Sequence, residues 1–463
     1  MTLRTSQLSD QEGGLDRLTQ DWGSRASVTL YLDRCQVDTP KELVSNVWEH
    51  VRNRRSRIGT VIDFGAGDGR FAHGGLFRSY IGYEIDRSRC VTARLPSHAT
   101  LLNKCAFAET RSDADLCIGN PPYVRNQDLP RGWRERVCEV LTSRTGVRLS
   151  GLANAWQYFF LLSLASTHDK GLVAIVVPYE WVSRPSSVAL REYITSQGWD
   201  VNVYRLRDET FDRVLTTSSI TVIDKRRATG KWRFFEELPN GGYRELPSAA
   251  ESTAGVVRYA SRSKSAKDDV HAKRGLSPGT QEVLVLTEGE RVRSGLRIGI
   301  DVVPCVTSLR PLEDACEALT DIVFREKFRL AGHKCWLIRT DRELSNTLKS
   351  YLAHVSAEKY QTATCLGRAN WWQFPMPETP ELLSATGFCE ARPKVVVNTM
   401  GARAVGSVAG IYGVRKSMQR TLVRRLKGLK LTKRIVSHSN GLKKVEINQL
   451  NTLLQTALKA GRS

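Results

Sequence analysis

The residues best suited to chemistry form one short run, Asn120-Pro121-Pro122-Tyr123, set directly after the apolar stretch Leu116-Cys117-Ile118-Gly119. Two consecutive prolines make a rigid loop, so whatever this loop presents is held in a fixed geometry. Its polar atoms include the Asn120 amide oxygen and the Pro121 carbonyl, both acceptors. They suit a planar amino group such as that of adenine, whose lone pair is delocalised into the ring. Accepting both N–H bonds favours a more tetrahedral nitrogen with its lone pair aimed at an electrophile, an effect of positioning and electrostatics. Tyr123 can stack on a base, worth about 1–3 kcal/mol by analogy with single-strand binders. A plainer reading stands beside this one: the prolines stop a strand and Tyr123 packs nearby.

Upstream, Val61-Ile62-Asp63-Phe64-Gly65-Ala66-Gly67-Asp68-Gly69 is an apolar strand running into a glycine-rich turn. Glycine permits positive φ and close backbone approach to a ligand. Glu84 lies about twenty residues past the turn, where doubly wound folds place the acid that accepts both ribose hydroxyls. Turn and acid together point to an adenosine-containing cofactor. Dinucleotide sites carry Gly-x-Gly-x-x-Gly over a pyrophosphate, whereas here Asp63 and Asp68 would repel one. A cofactor bearing a sulfonium and an amino group tolerates those carboxylates far better.

The elements that must hold these residues read as alternating strands and helices from about Lys41 to Asp224. Strands are expected at Thr60–Phe64, Tyr80–Glu84, Leu116–Ile118, Leu172–Val177, Val201–Arg205 and Ser218–Ile223, separated by longer mixed segments such as Ala153–His168. That alternation implies βα units and a parallel or mixed sheet. Residues 1–228 are expected as this domain. Residues 229–280, rich in Gly, Ser, Lys and Arg with turn signals at Pro239-Asn240-Gly241-Gly242 and Ser277-Pro278-Gly279, read as a linker. Residues 281–463 then form a second region.

At 463 residues, 41% hydrophobic and 25% charged, the chain has the composition of a soluble globular protein. Its 69 Lys+Arg against 48 Asp+Glu give a net charge of +21, which attracts polyanions, nucleic acid foremost. Ile411–Ser463 alone carries 13 Lys/Arg against one acid, Glu446; it reads either as a binding surface or as a solvated basic tail. Ten cysteines show no Cys-x-x-Cys spacing, so neither a metal site nor a disulfide framework is indicated. The start, Met1 to Gly14, is polar and no signal peptide. The longest apolar runs, Tyr158–Ala165 and Leu172–Tyr179, are far too short to span a bilayer, so a cytoplasmic protein without membrane contact is expected.

Taken together, these motifs resemble the adenine-specific (N6) DNA methyltransferases of bacterial restriction–modification systems, in the gamma order of motifs. The resemblance covers about Thr39 to Lys225. It implies a Rossmann-like methyltransferase domain followed by a C-terminal α+β target-recognition domain, with S-adenosyl-L-methionine as cofactor. Thr39-Pro40 look like the first cofactor motif, Asp63, Gly65 and Gly67 like the loop at the methionine side, and Glu84-Ile85 like the ribose acid and an apolar neighbour of the cofactor's adenine. Asn120, Pro121, Pro122 and Tyr123 match the catalytic tetrad. Phe211, in Glu209-Thr210-Phe211, is similar in place to an aromatic residue that packs on the flipped adenine. The family's usual acid after the third strand is missing from Leu101-Leu102-Asn103-Lys104-Cys105, and either Asn103 or a backbone carbonyl is expected to take over its contact. Asn rather than Ser at the head of the tetrad favours adenine over cytosine, again by resemblance.

The same tetrad occurs in enzymes that methylate release factors and ribosomal RNA, so the motif alone does not choose a substrate. The second half of the chain does: a base inside a duplex must be extruded at a cost of a few kcal/mol, which calls for a basic surface that grips and reads DNA. Double-stranded DNA is thus the expected partner, with a cognate restriction endonuclease as a separate chain implied by the resemblance. A ribosomal RNA N-methyltransferase, and a non-catalytic nucleic-acid-binding protein on a methyltransferase fold, are the competing readings. Removing the chain after about Gly410 is expected to weaken duplex binding and flatten its salt dependence.

Overall fold

The computed structural model describes residues 38–130, 132–207, 210, 217–246, 270–388, 392–429, 437–439 and 442–459. The chain forms two compact units that divide near residue 251, with 437–441 grouped with the first.

The first unit is built on a nine-stranded mixed sheet. Its strands are β1 (Thr60–Phe64), β2 (Ser79–Tyr83), β3 (Ala99–Leu102), β4 (Ala114–Gly119), β5 (Thr167–Pro178), β6 (Asp200–Arg205), β7 (Ser218–Asp224), β8 (Trp232–Glu237) and β9 (Tyr243–Leu246). They run in the order β3-β2-β1-β4-β5-β7-β6-β8-β9. β1, β2, β3, β4 and β5 are parallel, and β7 is inserted antiparallel between β5 and β6. All six expected strands are present, with ends shifted by a few residues.

Burial explains the sequence pattern. β7 is buried along its whole length and β5 from Gly171 to Pro178, so both read as continuous apolar runs rather than alternating ones. Helix α1 (Lys41–Arg52) buries Leu43, Val44, Val47, Trp48 and Val51, a single helical stripe, on the core formed with Val61, Leu116, Ala174 and Val222. Helix α2 (Trp133–Thr145) and helix α3 (Ala155–Ser166) pack together. α3 is apolar around most of its circumference. Its start is fixed by a capping box in which the Asn154 N–H donates to Gln157 Oε1 at 2.7 Å.

The order of strands has one consequence for function. From β1 the chain passes to β2 on one side and later returns to β4 on the other. β1 and β4 therefore flank the point where connections diverge, and ligands in open α/β sheets bind beyond the C-terminal ends of such strands. The Gly65–Gly69 turn leaves β1 there and Asn120–Tyr123 leaves β4. Pairing of Asp63 with Ile118 sets the two loops at the same level.

One expectation needs correction. The stretch 229–280 is not all linker: β8 and β9 extend the first sheet, and His271–Arg274 pairs antiparallel with Val408–Tyr412 in the second unit. Of the two readings of the basic segment after Ile411, the solvated tail does not hold for its described helices. In the second unit, helix α4 (Gln419–Gly428) and helix α5 (Ile447–Lys459) bury Leu422, Val423, Leu426, Leu450, Leu453 and Leu454 against Leu382, Val395, Val397 and Ile411. The rest of that unit is a five-stranded sheet and a four-stranded sheet with short helices, an α+β arrangement.

Cutting after Gly410 would therefore remove much of a core. Each lost leucine is worth roughly 1.5–3 kcal/mol, and together they rival the whole stability of a domain, about 5–15 kcal/mol. Such a truncation tests folding, so the role of the charge must be tested at single exposed residues.

Candidate active site

A cleft opens at the ends of β1 and β4, with about 1030 Å³ of empty space when the open solvent at its mouth is included. Its wall includes Thr39, Asp63, Gly65, Gly67, Glu84, Ile85, Asn120 and Pro122, all expected site residues. Lys104, Cys105, Ala106, Phe107, Leu129, Trp133 and Phe159 complete the other side.

Asn120 leaves β4 with its side chain only half engaged. Nδ2 donates to Thr39 Oγ1 at 3.1 Å, whereas Oδ1 is buried and has no hydrogen-bond partner among the described residues. A buried, unpaired acceptor costs about 1–3 kcal/mol, and its place on the cavity wall is where a donor from a ligand would satisfy it. Asp63 is in the same condition. Tyr80 donates to its Oδ2 at 2.7 Å, and Oδ1 is buried without a partner among the described residues. Burial pushes the Asp63 carboxyl up to about 7; the Tyr80 hydrogen bond opposes that rise, and the nearby charges of Glu84 and Asp68 add to it.

Glu84, buried at the end of β2, accepts from Gly67 N at 2.8 Å and from Asp86 N at 2.8 Å, one bond on each carboxylate oxygen. Each oxygen keeps a second lone pair for a ligand hydroxyl. Its carboxyl is also raised, by burial first. Gly65 and Ala66 donate to the Tyr83 carbonyl at 2.9 and 3.0 Å, which ties the glycine-rich turn to β2. Gly65 holds φ at +79°, and a Cβ there would meet Pro122 Cδ at 3.1 Å. Any other residue there would be strained by the positive φ and would press on Pro122.

Three further side chains form an apolar wall. Phe107 meets Phe159 edge-on at 4.9 Å between ring centres, and Trp133 edge-on at 5.4 Å. The sequence singles out none of the three. Phe159 lies in a helix apolar on nearly every side, so no periodicity marks the face turned to the cavity.

Not every expected residue lies on the wall. Pro40 stands at the N-cap of α1, and Pro121 is buried against the glycine-rich turn. The Tyr123 hydroxyl is buried, which raises its pKa, while the residue keeps part of its surface exposed. Asn103 Nδ2 donates to the Glu84 and Ile85 carbonyls, both at 3.0 Å, so it braces the end of β2, and the residue is not among those that line the cavity. Phe211 lies outside the described residues. Among the described residues no group of His, Cys, Asp or Glu is placed to hold a metal ion, and no helix is long and apolar enough to cross a membrane.

Residues 88–209, which contain the Asn120 loop, match the family model of the Eco57I restriction-modification methylase. Residues 312–427 match that of the type II methyltransferase M.Eco57I, C-terminal domain. Together they support a restriction–modification methyltransferase. The type II methyltransferase M.XamI of Xanthomonas campestris pv. amaranthicola is 24% identical over 412 residues, covering 81% of this chain and 76% of the relative. Among solved structures, the type IIG restriction endonuclease BpuSI is 12% identical over 93% of this chain and 61% of its own, with a TM-score of 0.42. A type I restriction-modification methyltransferase subunit from Streptococcus thermophilus is 19% identical over 47% of this chain, with a TM-score of 0.38. The chain spans about half the length of that subunit, 51%.

Proposed function

We propose that this chain transfers a methyl group from S-adenosyl-L-methionine to the N6 amino group of an adenine flipped out of duplex DNA. The observation that carries the reading is the unpaired, buried Oδ1 of Asn120, on the wall of a cavity that is also lined by Asp63, whose Oδ1 is likewise unpaired among the described residues, and by Glu84. The donor and acceptor set fits the cofactor. Asp63 would take its amino group, Glu84 its ribose hydroxyls, and Ile85 with the apolar wall its adenine. When bound, S-adenosylmethionine supplies an electrophilic methyl on a sulfonium.

The protein's own part is to hold the acceptor nitrogen. Asn120 Oδ1 and the Pro121 carbonyl would accept the two N–H bonds of the target amine and aim its lone pair. Asn120 does not titrate, so the proton released after transfer goes to water. Adenine as the base is supported by Asn at the head of the loop. Duplex DNA is supported by the second unit and its charge, and a separate cognate endonuclease is the partner that a modification enzyme of this kind implies.

The deciding assay is transfer of labelled methyl to unmethylated duplex DNA, run beside ribosomal RNA and release factor, followed by identification of the modified base. Label on DNA as N6-methyladenine is expected. Label on ribosomal RNA alone would replace this reading with the RNA one, and label on nothing would leave only a binding role.

Arg415, Lys416 and Arg420 are exposed on the second unit and belong to no ion pair among the described residues, whereas Arg424 is paired with Glu317. Replacing the three with alanine is expected to leave the melting temperature unchanged. It should flatten the plot of log affinity against log salt by about 0.9 for each phosphate that is no longer neutralised. An unaltered slope would mean this face does not touch the duplex.

Gly119, just before Asn120, supports the same site. Its φ is +145°, and a Cβ would stand 2.2 Å from Asp63 Oδ1. Gly119→Ala is expected to cost about 1–3 kcal/mol in backbone strain, and thermal melting should show a clear drop, together with weaker cofactor binding. A variant that melts like the parent would show that the loop adapts freely.

A further inference from the structure

Asn120 can act as described only if its amide presents oxygen to the cavity. The two ends of an amide have nearly the same shape, and half a turn about the last side-chain bond would offer donors to a donor. In the described chain Asn120 Nδ2 has one partner, the Thr39 hydroxyl, at 3.1 Å. Thr39 thus anchors the amide: its hydroxyl can accept from Nδ2 or donate to Oδ1, so it sets where the amide stands beside the cavity.

Thr39 is itself held from the other loop. Arg70, at the end of the glycine-rich turn, donates through Nη1 to the Thr39 carbonyl. Its Nη2 reaches Asp38 Oδ2 at 3.1 Å and Asp68 Oδ2 at 2.6 Å, and its Nε donates to Asp68 Oδ1 at 2.9 Å. Arg89 adds a second tie to Asp38 at 3.0 Å. One guanidinium thus joins three acceptors on two separate segments. A planar fork of five donors can do this, and a lysine ammonium cannot hold the same geometry. Asp38 and Asp68 keep about half of their side-chain surface exposed, so the ion pairs alone add little stability. Their value is geometric.

We infer that Arg70 and Thr39 are positioning residues that link the cofactor loop to Asn120, Arg70 pinning the Asp38-Thr39 segment and the Thr39 hydroxyl anchoring the Asn120 side chain. The inference rests on the proposed methyl transfer for its effect on rate, though the clamp itself does not. The family resemblance gives Thr39 a place in cofactor contact; the bond to Asn120 gives it a second task.

Four variants separate the parts: Thr39→Val, Thr39→Ser, Arg70→Met and Arg70→Lys. Thr39→Val is expected to lower kcat, measured at saturating cofactor, about tenfold, the worth of one hydrogen bond. Thr39→Ser should restore kcat, because it returns the hydroxyl. Arg70→Met is expected to raise amide hydrogen exchange across residues 38–44 at least about tenfold, with Arg70→Lys close behind it.

An unchanged kcat in Thr39→Val, no rescue by Thr39→Ser, or unaltered exchange in Arg70→Met would each overturn the inference. If the parent enzyme transfers methyl to nothing, the proposed function fails, and the exchange measurement still decides whether the clamp exists.

Discussion

Asn120→Ala is expected to reduce methyl transfer by at least about a thousandfold, the upper range for removing one positioned polar group from a reacting centre. Cofactor affinity and duplex affinity should stay within a few-fold of the parent. The reason lies in how little else Asn120 does. Its Oδ1 is buried without a partner among the described residues, and its Nδ2 makes one bond, to Thr39. Removing the side chain therefore deletes an acceptor that only the target amine would use, and it frees a single threonine hydroxyl. No ion pair or large buried side chain is lost, so folding should be nearly unaffected. Single-turnover transfer with saturating cofactor and DNA reads the chemical step directly. A parallel loss of duplex binding would place Asn120 in DNA recognition instead, and retention of transfer would remove the loop from the chemistry altogether.

How much of this is legible in the sequence depends on the distance over which each feature acts. The glycine-rich turn, Glu84 and the Asn120 loop are local patterns, each a strand end plus the few residues after it, and the sheet order brings all three to one cavity. The strands that carry them are short runs of five or six residues, mostly apolar. β8 and β9 escape a sequence reading because they end the sheet, β9 as its edge strand and β8 beside it. Arg233 and Glu245, and Arg244 and Glu236, pair across them, and edge strands carry such charges to resist further pairing. Their composition resembles a loop for that reason.

Charge also masks structure in the second unit, where the basic residues of α4 obscure the stripe of Leu422, Val423 and Leu426. Asn103 shows a different limit. Its residue type allows donation or acceptance, and only the fold shows that it donates to the carbonyls of Glu84 and Ile85. The bond from Asn120 to Thr39 spans 81 positions, and the Arg70 clamp joins segments 31 apart. Neither has a local signature, because both depend on the register of β1 with β4 and on where α1 begins.

Cofactor affinity is expected to rise with pH up to about 7 and to level off above it, and Asp63 is the cause. Burial raises its carboxyl to about 7, so in the free protein it is largely protonated at pH 6. The cofactor's ammonium requires the carboxylate, and binding at pH 6 must expel a proton. The logarithm of the association constant should therefore climb with a slope approaching one per pH unit below 7. Above that the slope vanishes, until the cofactor's own α-amino group, near 7.7–8.0 in its ordinary state, begins to lose its charge. Glu84, also raised by burial, would steepen the lower limb if it too must ionise.

The sign for stability without cofactor is the reverse. Asp63 in the folded chain holds a proton that the unfolded chain has released above the ordinary value of 3.8. Its contribution to stability is present at low pH, falls as pH rises from about 4 to 7, and is constant beyond. The rise in melting temperature produced by cofactor should accordingly be larger at pH 8 than at pH 6. Asp63→Asn separates the effect from other titrations. At pH 8 it should weaken cofactor binding about a hundredfold, the cost of taking a charged partner from a buried pair. At pH 6 the variant and the parent should differ far less, and the variant's affinity should carry no slope from this group. Calorimetry in two buffers of different ionisation enthalpy would count the protons released. A parent whose affinity ignores pH between about 5.5 and 7, values set around the expected midpoint, would show that Asp63 does not meet the ammonium. An Asp63→Asn variant that keeps the slope would assign the proton to Glu84.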